Sequence, residues 1–291
     1  MILVADSGSS KTDWLLSQPG QTPHEFRTPG LNPYFLTEKE IVKVLQDKAS
    51  DLVAYNTDVT EIYFFGAGCS SPDRHEIVSN ALSTLFQKAT YISVDSDLLG
   101  SAYATCGHEK GLCCVLGTGS NISFFDGEEI HAGKHGLGFI LGDEGSGTWF
   151  GKLLITDFLY GNMPDDIYTQ FDKTYGLTKE IVVNNVYQKP RANSYLASFA
   201  RFMNVIRRTD YGQNLLKQGL TEFIETNIKS YPQYHKYKCN FVGSIAYVFA
   251  DELKALCAES HIKVGKIIRQ PIHDLLDYIL TREEPPLNLP R

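Results

Sequence analysis

LCCVLGTGSNISFFD, residues 112–126, is a pair of apolar runs joined by a turn of small residues. Leu112–Leu116 and Ile122–Phe125 read as strands, Gly117-Thr118-Gly119-Ser120-Asn121 as the turn between them, and the whole as a β-hairpin. Glycines in such a turn allow positive φ and let a ligand reach the main chain. Several N–H groups can then face one anion, with the Thr118 and Ser120 hydroxyls beside them, which suits a phosphate. The N-terminus repeats the design. Ile2–Ala5 leads into Asp6-Ser7-Gly8-Ser9-Ser10-Lys11-Thr12 and then Asp13-Trp14-Leu15-Leu16, here with a carboxylate and an ammonium added. Either turn by itself could be a plain tight turn. Two of them about a hundred residues apart imply two similar half-molecules serving one nucleotide.

The totals fit that reading. The chain has 291 residues, enough for two domains, with 43% apolar and 21% charged residues. Its net charge is −7 and it has no Lys/Arg-rich block, which argues against nucleic acid or an anionic membrane as partner. No apolar run approaches the ~20 residues that span a bilayer. Met1 leads straight into a strand without a basic, signal-like segment, so a cytoplasmic protein is expected. The six cysteines, Cys69, Cys106, Cys113, Cys114, Cys239 and Cys257, show no metal-ligand spacing and are expected to be reduced and mostly buried.

Along the chain, strands and helices alternate, the pattern of an α/β domain. Thr37 with Glu40 forms a capping box for a helix through about Ala54. Glu61–Phe65 is a strand, Ile77–Ala89 a helix, Tyr91–Val94 a strand. That strand runs into Asp95-Ser96-Asp97 and a helix from Leu98. Asp97 therefore stands beyond a strand's carboxyl end, where α/β proteins bind ligands, although Asp95 or Asp97 could equally cap the helix. Asn32, before Pro33, serves either a turn or a ligand. Residues 133–152 hold seven glycines together with Asp143-Glu144. This reads as a shaped loop, anchored by Leu137, Phe139, Ile140 and Leu141, that offers main-chain amides and the Asp143 carboxylate to a ligand. Helices are expected over 146–160, 165–175, 178–188, 193–208 and 211–230. Lys238–Val242 is a strand ending in Gly243-Ser244-Ile245, a docking point for adenosine or its phosphates, before a helix over 246–260. Residues 267–280 begin strand-like and become an amphipathic helix, and 283–291 read as a loose tail.

Asp6–Thr12, Gly117–Asn121 and Gly243–Ile245 resemble the phosphate-1, phosphate-2 and adenosine motifs of the actin-like ATPase superfamily. The strand running into Asp97-Leu98-Leu99-Gly100 is similar to the catalytic Asp segment of its sugar kinases. Gly117–Asn121, Gly136-Leu137-Gly138 and Gly142-Asp143-Glu144-Gly145-Ser146 together resemble N-acetylglucosamine kinases of the BadF/BadG/BcrA/BcrD ATPase group. The resemblance runs from Met1 to about Ile245.

That resemblance implies an α/β protein of two RNase H-like domains with a nucleotide and sugar cleft between them. The N-terminal domain would be 1–106, joined by the C-terminal helix 270–281. The C-terminal domain would be 107–269, with a helical insertion over about 148–230. The implied reaction is ATP-dependent phosphorylation of an N-acetylated amino sugar, N-acetylglucosamine at the 6-hydroxyl, with Asp97 as general base. Asp6, Gly8, Ser9, Ser10, Lys11, Thr12, Gly117, Thr118, Gly119, Ser120, Gly243 and Ser244 would hold ATP, and Asp6 would hold Mg2+ through water. Asn32, Gly66, Asp97, Gly136, Leu137, Gly138 and Asp143 would hold the sugar. The first turn is less glycine-rich than usual. Arg207–Gly212 stands where an adenine contact is expected, which leaves that contact unassigned. Glucosamine, N-acetylmuramic acid and N-acetylmannosamine stay open as acceptors, and a homodimer stays open as assembly. A dehydratase-activating ATPase is the competing class, disfavoured because the cysteines fall in strands and helices. A sugar-sensing regulator would need an added DNA-binding segment, for which the first strand at Met1 leaves no room.

Overall fold

The computed structural model describes residues 1–8, 10–133 and 136–282. The chain divides into two compact units, Met1–His108 with the segment from Pro271, and Glu109–Gln270.

In the first unit β1 (Ile2–Ser7) pairs antiparallel with β2 (Lys11–Ser17), and β2 with β3 (His24–Pro29). β1 also pairs in parallel with β4 (Glu61–Gly66), and β4 with β5 (Tyr91–Ser96). The order is β3-β2-β1-β4-β5. β3 carries no apolar alternation and was not anticipated. It is a largely exposed edge strand whose inward Thr28 accepts a 3.0 Å hydrogen bond from the buried Trp14 Nε1. Helix α1 (Glu38–Lys48) starts at the expected capping box, with Thr37 N–H donating to Glu40 Oε2 at 2.8 Å. The expected single helix breaks at Ala49 and resumes as α2 (Ser50–Val53). Next come α3 (Pro72–Leu85) and α4 (Asp97–Cys106). Leu3, Trp14, Ile41, Leu45, Phe64, Val78 and Leu82 are among the residues that fill the core between helices and sheet.

The second unit repeats the sheet. β6 (Gly111–Leu116) and β7 (Ser120–Phe125) form the hairpin expected from the sequence, with Gly111 opposite Phe125 and Leu116 opposite Ser120. β8 (Ile130–Ala132), β9 (Lys238–Val242) and β10 (Lys263–Ile268) complete the order β8-β7-β6-β9-β10. Counted from its own first strand this is again third-second-first-fourth-fifth, with the same parallel and antiparallel pairings. The two hairpins thus mark two copies of one sheet.

Between β8 and β9 the chain is helical, in segments α5 (Gly138–Leu141), α6 (Gly147–Tyr160), α7 (Asp165–Tyr175), α8 (Lys179–Val183), α9 (Ala192–Ser198), α10 (Phe202–Ile206) and α11 (Asp210–Thr226). A wider turn over Asn184–Gln188 and a tighter one over Phe199–Arg201 interrupt what the sequence suggests as continuous helices. Ser146 caps α6, and Gly161 closes it in a left-handed conformation at φ 71°. After β9 the expected helix over 246–260 begins earlier and is split into α12 (Ser244–Val248) and α13 (Ala250–Glu259). The break falls at Phe249, whose ring is buried beneath the Arg207 guanidinium. All six cysteines are buried, and among the described residues none forms a disulfide. No helix among the described residues is long and apolar enough to cross a membrane. The tail assigned to 283–291 lies outside the described residues.

The last helix, α14 (Ile272–Thr281), returns to the first unit and packs on α4, β1 and β2. Its i, i+3, i+4, i+7 set, Ile272, Leu275, Leu276 and Ile279, is buried. Tyr278 stacks on Tyr103 of α4, centroids 4.4 Å apart and planes 13° from parallel. Leu275 is fully buried, so Leu275→Ala is expected to cost about 2–5 kcal/mol. Urea unfolding followed by circular dichroism checks this; an unchanged midpoint would show that α14 is dispensable to the unit.

Candidate active site

In the first unit, three parallel strands end in register. Ser7, Gly66 and Ser96 are partners across β1, β4 and β5, and Asp6, Phe65 and Asp95 are partners one residue earlier. Asp6 and Asp97 therefore lie at the carboxyl edge of one sheet, the edge at which α/β proteins place ligands. Neither Asp95 nor Asp97 caps α4. Ser96 does, its Oγ accepting from Leu99 N–H at 3.2 Å, which leaves the Asp97 carboxylate in the first helical turn. A Cβ on Gly100 would lie 2.7 Å from Cβ of Phe65, so glycine is what lets α4 sit this close to β4.

Burial pushes the Asp97 carboxyl up to about 6, against main-chain hydrogen bonds at Leu98 and Asp97 that pull it down. Asp6 is pushed up to about 7, first by burial, then by the neighbouring charges of Asp97 and Asp13, with Lys11 acting in the opposite sense. Asp13 is a residue that the sequence reading passed over. It is Asp6's cross-strand partner, buried, and paired with both Lys11 Nζ and Arg27 Nε. The hairpin register was the signal that could have found it. Asp97 and Asp95 also contribute, after burial, to raising the Cys69 thiol to about 12.

The remaining first-unit candidates fall into two groups. Asn32 packs against the turn after β4, where a Cβ on Gly68 would meet its Oδ1 at 2.3 Å. That oxygen accepts from Tyr34 N–H at 2.9 Å, so the amide's NH2 is the end with donor capacity. Gly66 is buried against the Phe64 ring and Cys69 Sγ. Gly8 closes the first turn, its N–H donating to Lys11 O at 2.9 Å, and Ser10 is exposed on it. Thr12 is turned inward: its hydroxyl lies 2.8 Å from Ser7 Oγ and donates to Pro29 O, so it braces the hairpin instead of presenting a hydroxyl outward. Ser9 lies outside the described residues.

In the second unit the three expected motifs converge. Val115 and Val242 are register partners, so Gly117 and Gly243 leave the sheet side by side. Gly243 has φ 131°, and a Cβ there would come within 2.4 Å of Leu116 O. The start of α6 is stitched to the hairpin turn, Gly147 N–H to Gly117 O at 2.8 Å and Thr148 N–H to Thr118 O at 2.9 Å. Thr118 itself is exposed at the turn. Asp143 sits in left-handed backbone at φ 58° against Gly119, and its Oδ1 accepts from Ser120 N–H at 3.2 Å. Burial raises this carboxyl and the Ser120 N–H opposes the rise. Glu144 is held by the buried Asn227 side chain at 3.3 Å. Among the described residues Ser120 Oγ, which is buried, has no hydrogen-bond partner.

One expectation is overturned. Leu137, Ile140 and Leu141 do not anchor the glycine-rich loop, since they are 63%, 74% and 75% exposed. Phe139 does anchor it, partly buried against the second unit's core, and polar contacts hold the rest: Lys152 Nζ to Phe139 O at 2.7 Å, Gly142 N–H to Gly138 O at 2.8 Å, and the Asp143 bond to the hairpin. Gly136 and Gly138, at φ 113° and 72°, belong to this loop, and Gly136 lies beside Asn121.

No family model and no curated protein matches the chain. A solved structure from Porphyromonas gingivalis, assigned as an N-acetylglucosamine kinase, is 34% identical with a TM-score of 0.90, the match covering 96% of this chain and 98% of that one. This chain belongs to the N-acetylglucosamine kinase-like family of sugar kinases. A Chromobacterium violaceum protein with the same assignment matches at TM-score 0.68 and 18% identity, over 96% of this chain and 98% of that one. A Streptomyces griseus glucokinase of the ROK family matches at 0.53 and 12%, over 95% and 98%. These two share the fold. As a sugar kinase of this family, the enzyme transfers a phosphoryl group to a sugar hydroxyl.

The kinase carries a stability cost at its carboxylates. A carboxyl whose folded value lies above its unfolded value binds its proton more tightly in the folded chain, so stability is lost as pH rises from about 4 towards the folded values of about 6 for Asp97 and about 7 for Asp6. Asp97→Asn and Asp6→Asn are therefore expected to melt higher than wild type at pH 8 and to close that gap at pH 4. Thermal melts across this range test the sign, and variants less stable than wild type at pH 8 would contradict it.

Proposed function

We propose that this kinase phosphorylates N-acetylglucosamine at its 6-hydroxyl, with ATP as donor and Asp97 as general base. The observation that carries the reading is Asp97 itself: a carboxylate at the joint carboxyl edge of β1, β4 and β5, raised to about 6 and beside Asp6. At neutral pH such a group is mostly ionised, yet more basic than an ordinary aspartate, as a base for an alcohol should be. It takes the 6-hydroxyl proton as that oxygen bonds to the γ-phosphorus, and the bond to the β-phosphate oxygen breaks to release ADP. Positioning and charge neutralisation supply most of the catalysis in such transfers.

In the first unit, Asn32 with its NH2 and the main chain at Gly66 hold the sugar, and the turn from Gly8 through Ser10 to Lys11 meets phosphate. In the second, Gly117–Ser120 meets phosphate, Gly243-Ser244 takes the adenosine end, and Gly136, Leu137, Gly138 and Asp143 serve the sugar. The partnerless Ser120 hydroxyl fits a group that accepts hydrogen bonds. Mg2+ fits Asp6, whose repulsion by Asp97 and Asp13 a cation would relieve. Among the described residues no three metal-binding side chains form a ready cage. That agrees with an ion held by one carboxylate, water and the donor's phosphates. When bound, Mg2+ neutralises charge on the transferring phosphates. The acceptor's acetamido group follows the Porphyromonas gingivalis relative. A panel of N-acetylglucosamine, glucosamine, N-acetylmuramic acid and N-acetylmannosamine ranks the alternatives. A cytoplasmic setting, where ATP is at hand, completes the reading.

Two measurements test it. Asp97→Asn is expected to lower kcat about 10²–10⁴-fold while ATP affinity measured by calorimetry stays near wild type. In a coupled ADP-release assay, wild-type kcat should rise with pH through about 6 and then level off, because only ionised Asp97 accepts the proton. Normal turnover by Asp97→Asn would remove it from the mechanism.

A further inference from the structure

We propose that Asp143 makes donor binding depend on the acceptor: without sugar its carboxylate occupies the phosphate turn and repels the donor's phosphates, and sugar hydroxyls draw it away. The inference rests on the preceding reading, in which Gly117–Ser120 meets phosphate and Asp143 serves the sugar. It adds the link between the two, which neither assignment contains.

The contacts lie within the second unit. In the turn, Gly117 N–H is used internally, donating to Gly119 O at 3.0 Å. Among the described residues the N–H groups of Thr118 and Gly119 have no protein partner, which leaves them for an anion. Ser120 N–H instead donates to Asp143 Oδ1 at 3.2 Å. The same carboxylate covers Gly119: its Oδ2, Cγ and Oδ1 lie 2.7, 3.1 and 3.2 Å from the position a Cβ there would take. A negative charge thus rests on the turn that is to receive negative charge.

That carboxylate is loosely held. An ionised carboxyl has about four acceptor positions, and its charge-assisted bonds are ordinarily roughly 2.7–2.9 Å long. Here the printed partners are Ser120 N–H at 3.2 Å and the Thr148 hydroxyl at 3.5 Å. The charge of Lys152 eases it from nearby, but that ammonium is bonded to Phe139 O. Asp143 is half-buried, and burial makes unmet acceptor capacity costly. Sugar hydroxyls are donors able to meet that capacity at normal length. As they do, Oδ1 leaves Ser120 N–H, the charge is spread over new bonds, and a third amide joins those of Thr118 and Gly119. Sugar and phosphate then favour each other, by the same factor in each direction. Without sugar the donor is held off, so water has less chance to take the phosphoryl group.

The test is calorimetry with AMPPNP, an ATP analogue that does not transfer its phosphoryl group. It compares wild type with Asp143→Asn, which keeps the side chain's size and an acceptor oxygen but removes its charge. Wild type should bind AMPPNP about 5–150-fold more tightly with saturating N-acetylglucosamine than without it. Without sugar, Asp143→Asn should bind AMPPNP about fivefold or more tighter than wild type, and should release ADP from ATP faster. A merely structural role for Asp143 gives the opposite sign, weaker AMPPNP binding in the variant. Equal AMPPNP affinity in wild type with and without sugar, a result that needs no variant, overturns this inference alone. So does a folded Asp143→Asn that binds AMPPNP no more tightly than wild type. Failure of the wild-type enzyme to phosphorylate any sugar of the panel from ATP overturns the functional reading and this inference with it.

Discussion

Two stretches of main chain meet at Gly243 and Leu116–Gly117 with no room for a side chain between them. A Cβ on Gly243 would sit 2.4 Å from one carbonyl oxygen and 2.8 Å from the next amide nitrogen. That approach follows from the parallel pairing of β6 with β9, which brings both strands to an end at the same level. The rest of the second unit's site depends on it. The hairpin turn gains a neighbour in α12 on one side and is stitched to the start of α6 on the other. The turn between α5 and α6 carries Asp143, whose left-handed backbone is held by its own bond to Ser120 and by Glu144 on Asn227. A phosphate-type turn is useful only if its amides keep their direction, and here three elements hold it rather than one.

The first unit meets the same requirement with charge. Asp6 and Asp97 come together because their strands end in register, and Asp13 stands across from Asp6 because a two-stranded hairpin leaves it no other place. Burial first, and then the charges of Asp97 and Asp13, hold Asp6 back from ionising, while Asp13 has two cations beside it, Lys11 and Arg27. Residues placed at a cost to the folded state mark a site more surely than residues that merely fit. The unit supports that cost with a core of large side chains and with α14 strapped across α4, β1 and β2.

Much of this was legible in the chain, for identifiable reasons. Residues 112–126 announced the hairpin because apolar runs and turn residues alternate cleanly. Thr37 with Glu40 marked a helix start by side-chain chemistry that the structure reproduces. β3 stayed hidden because an exposed edge strand needs no apolar alternation, and several of its contacts, Thr28 accepting from Trp14 and Arg27 pairing with Asp13 among them, are polar. The break at Phe249 arises from burial of one ring, a tertiary demand that helical periodicity does not record. Leu137, Ile140 and Leu141 misled because apolar residues among glycines look like anchors. Of the four expected anchors only Phe139 packs on the core, and its carbonyl takes the Lys152 bond, while the other three side chains stay outside. Asp13 lay in plain view but gains meaning only when the register sets it opposite Asp6.

The two sheets have one topology yet carry different chemistry at equivalent places. At the end of the first strand, β1 supplies Asp6 and Ser7, where β6 supplies Val115 and Leu116. After the fourth strand, β4 leads through Gly66 to the turn that seats Asn32, whereas β9 leads through Gly243 to α12. One unit is thus rich in carboxylates and the other in main-chain amides. Phosphoryl transfer asks for both: donors that receive negative charge without moving, and one base that must not itself be neutralised by them. The two copies of the sheet have thus diverged in what their strand ends carry. An amide-rich turn placed directly around Asp97 would lower its carboxyl further than the main-chain hydrogen bonds at Leu98 and Asp97 already do. At Asp97 burial outweighs those two hydrogen bonds and leaves the value at about 6.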